Sequence, residues 1–276
     1  MAKLKYVLYI GDARQILPEL EPESIDLVVT SPPYAWELKY SDHKLQMGNI
    51  LDTRAFFREL AKVWRQCFRL LKPGGFLAVN FADIHDAKKV RGRNVIEPLV
   101  GYMVESVRSA GFDLVSTWIW RKYHPAVILS KVPLLSHGSL STGKYVPKAV
   151  KNWEYVFVWW KPTANLKRVF DVRDEEWYPE YVDGVWNIEY KPDERDFGAF
   201  PVELPRRLIK IYSVKGDVVL DPFIGSGTTM KAAFELKRSC IGIEIDESRI
   251  PRIREKVGWG SQPLDGDEAE WTMIMK

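Results

Sequence analysis

Three stretches of this sequence place binding or reactive residue types where backbone and side chain can act together. In Thr30-Ser31-Pro32-Pro33-Tyr34, two consecutive prolines fix φ and supply no N–H, leaving rigidly aimed carbonyl acceptors. The Ser31 hydroxyl and the Pro32 carbonyl together suit a group with two hydrogens to donate, such as an amine, and Tyr34 adds a flat aromatic face. In Asp221-Pro222-Phe223-Ile224-Gly225-Ser226-Gly227-Thr228-Thr229, two glycines let the backbone approach a ligand closely. The helix opening there favours an anionic group such as a carboxylate. No Gly-Lys-Ser/Thr closes this loop, so it is not a Walker loop, and Met230 stands where a dinucleotide fingerprint has its third glycine. Glu244 ends the next apolar run, 23 residues after Asp221. An acid at that spacing can accept both hydroxyls of a ribose. Loop and acid together predict an adenosine-containing cofactor.

Such residues need a scaffold that gathers strand ends. Lys5–Ile10 reads as a strand closed by Gly11-Asp12, and Ile25–Thr30 as a buried strand ending at the serine-proline stretch. Asp52-Thr53 can cap a long amphipathic helix, TRAFFRELAKVWRQCFRLLK, which Pro73-Gly74-Gly75 is expected to stop. Strand FLAVNFADI, helix EPLVGYMVESVRSAG and strand FDLVSTWIWRK follow. Residues 123–150 lose the periodicity, WEYVFVWWKP returns as a strand, and residues 162–199 are irregular, charged and aromatic-rich. Alternation resumes with VELPRRLIKIYS, DVVLDP, the glycine loop, TTMKAAFELKR, CIGIEID and a last helix over about 247–257. Strands alternating with helices predict an α/β fold, a doubly wound, mostly parallel Rossmann-like sheet. The expected division is 1–122 and 195–257 as two halves of one domain, 123–194 as an insertion on it, and 258–276 as a loose tail.

Composition narrows the setting. No run of about 18 apolar residues is free of charge, so no membrane span is expected. The N-terminus reads as a first strand and not as a signal peptide. Neither Cys67 nor Cys240 belongs to a CxxC pair, so neither a zinc site nor a disulfide is predicted, and a reducing cytoplasm fits best. Net charge is only +3, but its distribution is uneven. Arg121 to Arg168 holds nine Lys/Arg against one acid, whereas Asp171 to Asp196 holds ten acids against three Lys/Arg. A basic block beside an acidic one suggests a local surface for a polyanion.

Taken together, these motifs resemble those of the DNA amino-methyltransferases. SPPY resembles their catalytic motif, and DPFIGSGTT with IGIEID resembles their S-adenosylmethionine motifs. The catalytic motif precedes the cofactor loop by 190 residues, as in the permuted beta group, and FPVELPRRLIKIYS resembles the segment that group places before the loop. The resemblance implies that Asp221, Pro222, Phe223, Gly225, Ser226 and Gly227 line the methionine end of the cofactor, with Thr228 and Thr229 capping the helix there. It implies Glu244 at the ribose, Asp12 at the adenine amine, Phe200 and Pro201 around the adenine ring, and Thr30 beside the cofactor. Ser31, Pro32, Pro33 and Tyr34 would hold a base flipped out of double-stranded DNA. Residues 123–194 would be the target-recognition region, with Lys144, Lys148 and Lys151, together with Lys88, Lys89, Arg91 and Arg93, facing the DNA. Asp196 departs from the family, which often has histidine there.

The implied reaction is methyl transfer to an exocyclic amine by direct displacement. A serine at position 31 is associated in that family with N4 of cytosine, and an acid with N6 of adenine. Methylation at C5 would need a cysteine nucleophile, usually after proline, but Cys67 follows Gln66 and Cys240 follows Ser239. N6-adenine methylation stays open as the second reading, and a catalytically silent DNA-binding relative as a third. A cognate restriction endonuclease is the implied partner, with the chain a monomer or homodimer.

Overall fold

The computed structural model describes residues 3–36, 43–84, 92, 95–122, 137–139, 145–147, 152–164, 175–190, 198–263 and 267–276. The chain opens with strand β1 (Lys3–Ile10), the short helix α1 (Ala13–Ile16) and strand β2 (Ile25–Thr30). Helix α2 (Thr53–Leu70) passes directly into β3 (Leu71–Phe81), followed by α3 (Leu99–Arg108) and β4 (Asp113–Arg121). Among the described residues, β5 (His137–Ser139) and β6 (Tyr145–Pro147) pair only with each other. Then come β7 (Trp153–Trp160), α4 (Tyr178–Val182) and β8 (Val185–Asn187). The last third comprises α5 (Glu203–Tyr212), β9 (Val218–Asp221), α6 (Thr228–Glu235), β10 (Ser239–Glu244), α7 (Ile250–Val257) and β11 (Glu268–Met275).

Among the described residues, nine strands form one sheet in the order β11-β1-β10-β9-β2-β3-β7-β4-β8, with β7 reversed against both its neighbours. Helices cover both faces, which is why the inner strands are apolar throughout instead of alternating. Every residue of β2 is buried. Val28 packs with α2 and α3, whereas Leu27 and Val29 face α5, α6 and α7. Burying side chains of this size contributes about 1.5–3 kcal/mol each. In α2 the apolar stripe of Phe56, Leu60, Val63, Trp64 and Cys67 lies on the sheet, and the Asp52 carboxylate caps the helix by accepting from the Ala55 N–H at 2.6 Å.

The topology has one consequence for function. β9 and β2 are parallel neighbours, yet β9 leads through α6 to β10 on one side and β2 leads through α2 to β3 on the other. Chain leaving the two carboxyl ends therefore diverges, opening a crevice at the switch point of the sheet.

Three expectations need correction. Pro73-Gly74-Gly75 does not stop the helix, since α2 already ends at Leu70. Those residues form an irregularity in β3 where its pairing jumps from Ile25↔Leu71 to Leu27↔Phe76. A Cβ on Gly75 would stand 3.0 Å from the carbonyl oxygens of Asp26 and Lys72, so only glycine allows this close approach. The stretch 123–194 is not wholly an insertion on the sheet, because β7, the strand expected at WEYVFVWWKP, and β8 are themselves strands of it. Val156, Phe157, Val158 and Trp159 are buried on both faces of β7, the signature of an inner strand. Nor is the tail loose. β11 pairs with β1 from Lys3↔Glu268 to Ile10↔Met275, and Trp271 stacks on Tyr6 with ring centres 4.4 Å apart. Among the described residues, no helix is long and apolar enough to cross a membrane.

Candidate active site

At the switch point the carboxyl ends of β1, β2, β9 and β10 surround a cleft of roughly 900 Å³, its open mouth included. Its walls bring together Asp12 from the end of β1, Ser31, Pro32 and Pro33 from β2, and Glu244 from β10. Asp221, Pro222, Phe223, Gly225, Ser226 and Thr228 come from the glycine loop, and Phe200 from the approach to α5. Residues from the first and last parts of the chain thus line one cavity.

Asp221 joins the two halves of the cleft. Its Oδ1 accepts from the Thr30 hydroxyl at 2.7 Å and from the Phe223 N–H at 3.0 Å, and its Oδ2 accepts from the Thr229 hydroxyl at 2.6 Å. Thr30 and Thr229 do not line the cleft; they hold its walls in register through this carboxyl. Burial pushes Asp221 up to about 6, against the lowering effect of these three donors.

Glu244 is also almost fully buried, and burial pushes its carboxyl up to about 7. The Asp246 N–H donates to its Oε1 at 3.0 Å and opposes that rise, as do the Arg249 charge and the Gly225 N–H. A desolvated acid on a cleft wall is an acceptor suited to hydroxyl donors. Beside it, Gly225 has φ +56, and a Cβ built there would meet nothing nearer than the Phe223 carbonyl oxygen at 3.9 Å. The cleft side of the loop is therefore an open cradle. Gly227, with φ +89, instead lets α7 close on the back of the loop, since a Cβ would approach Val257 to 3.0 Å and Ile253 to 3.2 Å.

Asp12 caps α1 through the Arg14 N–H at 2.9 Å, and its carboxylate is gripped by the Arg14 guanidinium at 2.6–3.0 Å. Arg14 also donates to Glu59 of α2 at 2.7 Å and to the Leu45 carbonyl on the cleft wall at 2.9 Å. Sequence reasoning missed Arg14, as it missed Leu45, Gln46, Met47 and Arg249 in the wall. None belongs to a motif, and Arg14, though only two residues from Asp12, meets Glu59 and Leu45 only through the tertiary fold. Pro201 lies outside the wall, at the start of α5, where its carbonyl accepts from the Leu204 N–H at 3.1 Å.

Tyr34 is not on the wall either. It is buried with its ring parallel to Phe81 at 4.9 Å, so one aromatic face is already covered. Cys67 and Cys240 are both fully buried, and burial pushes both thiols up, the reverse of what a nucleophile needs. Lys88, Lys89, Arg91, Arg93, Lys144, Lys148, Lys151 and Asp196 lie outside the described residues.

A family model of the N6/N4 methyltransferases, described as DNA methylase, matches residues 25–255. The chain belongs to this DNA methylase family. The type II methyltransferase M.MjaI of Methanocaldococcus jannaschii is 34% identical to the methylase, over 91% of this chain and 90% of the relative. A Thermus thermophilus protein assigned as a DNA modification methylase, solved in complex with S-adenosyl-L-methionine, shares the fold with a TM-score of 0.70. It is 32% identical and aligns over 96% of this chain and 99% of its own. The cytosine-N4-specific PvuII DNA methyltransferase has the same fold at 18% identity, with a TM-score of 0.66 over 98% of this chain and 97% of its own. The family's cofactor is S-adenosylmethionine. The cleft of the methylase fits such a group: an open glycine cradle, a hydroxyl pair at Ser226 and Thr228, and a buried acid at Glu244.

Proposed function

We propose that this methylase modifies N4 of a cytosine turned out of double-stranded DNA. The observation that carries the reading is the placement of Ser31 and Pro32 on the wall of the same cleft as the glycine loop, locked there by the Thr30–Asp221 hydrogen bond. The Ser31 hydroxyl and the Pro32 carbonyl each accept one hydrogen of the base amine. The amine lone pair is otherwise delocalised into the ring. Holding both hydrogens draws the nitrogen towards a tetrahedral shape and turns the lone pair to the cofactor side. When bound, S-adenosylmethionine supplies a methyl group already activated on a positively charged sulfur. The chain's contribution is therefore positioning and local electrostatics.

On the cofactor side, Glu244 would accept the ribose hydroxyls, and Asp12, held in place by Arg14, would receive the adenine amine beside Phe200, with Pro201 behind it. Phe223, Gly225, Ser226, Gly227 and Thr228 would surround the amino-acid end, with Asp221 and Thr229 fixing the loop. For a flipped base to stack on Tyr34, the buried ring would first have to turn out of its packing on Phe81; that contact would regain part of the few kcal/mol lost on leaving the duplex.

What supports cytosine over adenine is Ser31, a neutral hydroxyl where the adenine-specific pattern has an acid. Relatives named as type II methyltransferases support pairing with a restriction endonuclease of the same target sequence. Sequencing DNA from a methylation-free host that expresses this gene, with modification detection, tests the proposal. Modified cytosines at one short recurring sequence are expected. An unmodified genome would leave only a silent DNA-binding relative.

A further inference from the structure

We propose that Lys256 is a positioning residue for the amino-acid end of the cofactor, acting through Ser226 and Thr228. The proposal rests on the reading that this end lies in the glycine loop. Because Gly227 has no side chain, α7 packs directly against the back of that loop through Ile253 and Val257. The neighbouring Lys256 thereby reaches Ser226 Oγ at 2.8 Å and Thr228 Oγ1 at 3.3 Å.

The direction of these bonds follows from chemistry alone. An ammonium group only donates, so both hydroxyl oxygens act as acceptors towards Lys256, and both keep their own hydrogen to give away. The two oxygens are 3.4 Å apart, so one hydroxyl can donate to the other. The remaining hydrogen has no acceptor among the described residues, and both side chains line the cleft. The pair therefore presents a hydrogen to whatever enters. It sits at the start of α6, where unpaired backbone N–H groups also point outward. That arrangement selects an acceptor with negative charge. The cofactor's amino-acid end offers an ammonium and a carboxylate, and the geometry assigns the carboxylate to this corner. Lys256 sets the polarity of the two hydroxyls and adds a positive charge behind them.

The test compares two ligands on the full chain by titration calorimetry. S-adenosylhomocysteine carries the amino-acid end, whereas 5′-methylthioadenosine stops at the thioether. Lys256→Met is expected to weaken S-adenosylhomocysteine roughly tenfold, about one charge-assisted hydrogen bond, and to leave methylthioadenosine unchanged. Lys256→Arg restores most of the loss. Equal weakening of both ligands overturns the proposal, because it marks a residue that only shapes the loop. Unchanged S-adenosylhomocysteine binding overturns it as well. If the unaltered protein binds the two ligands equally, the glycine loop does not hold the amino-acid end, and the underlying reading falls with the proposal.

Discussion

At the residue scale, the site depends on acids that burial strips of most of their water. Burial raises the Glu244 carboxyl to about 7, so at neutral pH it is only partly ionised. Hydroxyl donors favour the ionised form, so their binding lowers its pKa. Affinity for S-adenosylhomocysteine is thus full above about pH 7 and falls below it, by up to about tenfold per pH unit. Glu244→Gln should remove most of that pH dependence; calorimetry at several pH values checks it. Asp221 behaves differently, because its three hydrogen bonds are all internal. Its carboxyl is raised from 3.8 to about 6 on folding, so the stability it contributes is complete below about pH 3.8 and lost as pH rises through about 6. Asp221→Asn is expected to flatten this profile in thermal unfolding. Asp221→Ala leaves three donors without their acceptor, costs about 1–3 kcal/mol and releases the loop, so cofactor binding is lost. Wild-type affinity in that alanine variant would contradict its assigned role.

Element by element, the sequence announced what local pattern can encode. The helix capped by Asp52, the buried strand ending in Ser31-Pro32-Pro33 and the strand–loop–helix around Gly225 were all legible. Glu244 was found by spacing, and it stands in the cleft. Arg14 and Lys256 were not legible, because the contacts that tie them to the cleft, from Arg14 to Leu45 and Glu59 and from Lys256 to Ser226, span 31, 45 and 30 positions and form only after folding. β11 was missed although EAEWTMIM alternates, since the acidic residues before it read as solvated tail. β7 and β8 were set apart because aperiodic chain surrounds them. β11 also bears on the site. Lys276 N–H donates to the Ile10 carbonyl at 2.9 Å, and a Cβ on Gly11 would meet the Lys276 oxygen at 3.2 Å, beside Asp12. Deleting residues 268–276 is therefore expected to cost ~2–4 kcal/mol from the Tyr6 and Phe234 faces that Trp271 covers and to weaken binding at the adenine end. Unaltered S-adenosylhomocysteine affinity in the shortened chain would show that β11 only decorates the edge.

For the whole molecule, the question is how DNA meets the cleft. Ser31-Pro32-Pro33, the glycine loop and the neck of the basic insertion all lie at the carboxyl edge of the sheet. There the Lys122 N–H bonds the Asn152 carbonyl at 2.7 Å, and Lys122 pairs with Glu154. Of the nine Lys/Arg between Arg121 and Arg168, Arg121 and Lys122 stand at this edge, whereas Lys161 lies at the other end of β7, where it donates to the Leu71 carbonyl. Neutralising Lys144, Lys148 and Lys151 together should weaken DNA binding and flatten its dependence on salt, since each phosphate contact releases counterions. An unchanged salt slope would place the DNA path elsewhere. The central claim is narrower: an amine held by Ser31 and Pro32, on cytosine. Its most direct test is mass spectrometry of nucleosides digested from DNA treated with the purified methylase and isotope-labelled S-adenosylmethionine. Labelled N4-methylcytosine is expected, reduced about 10²–10³-fold in Ser31→Ala by loss of one orienting hydrogen bond. Labelled N6-methyladenine without N4-methylcytosine would contradict it.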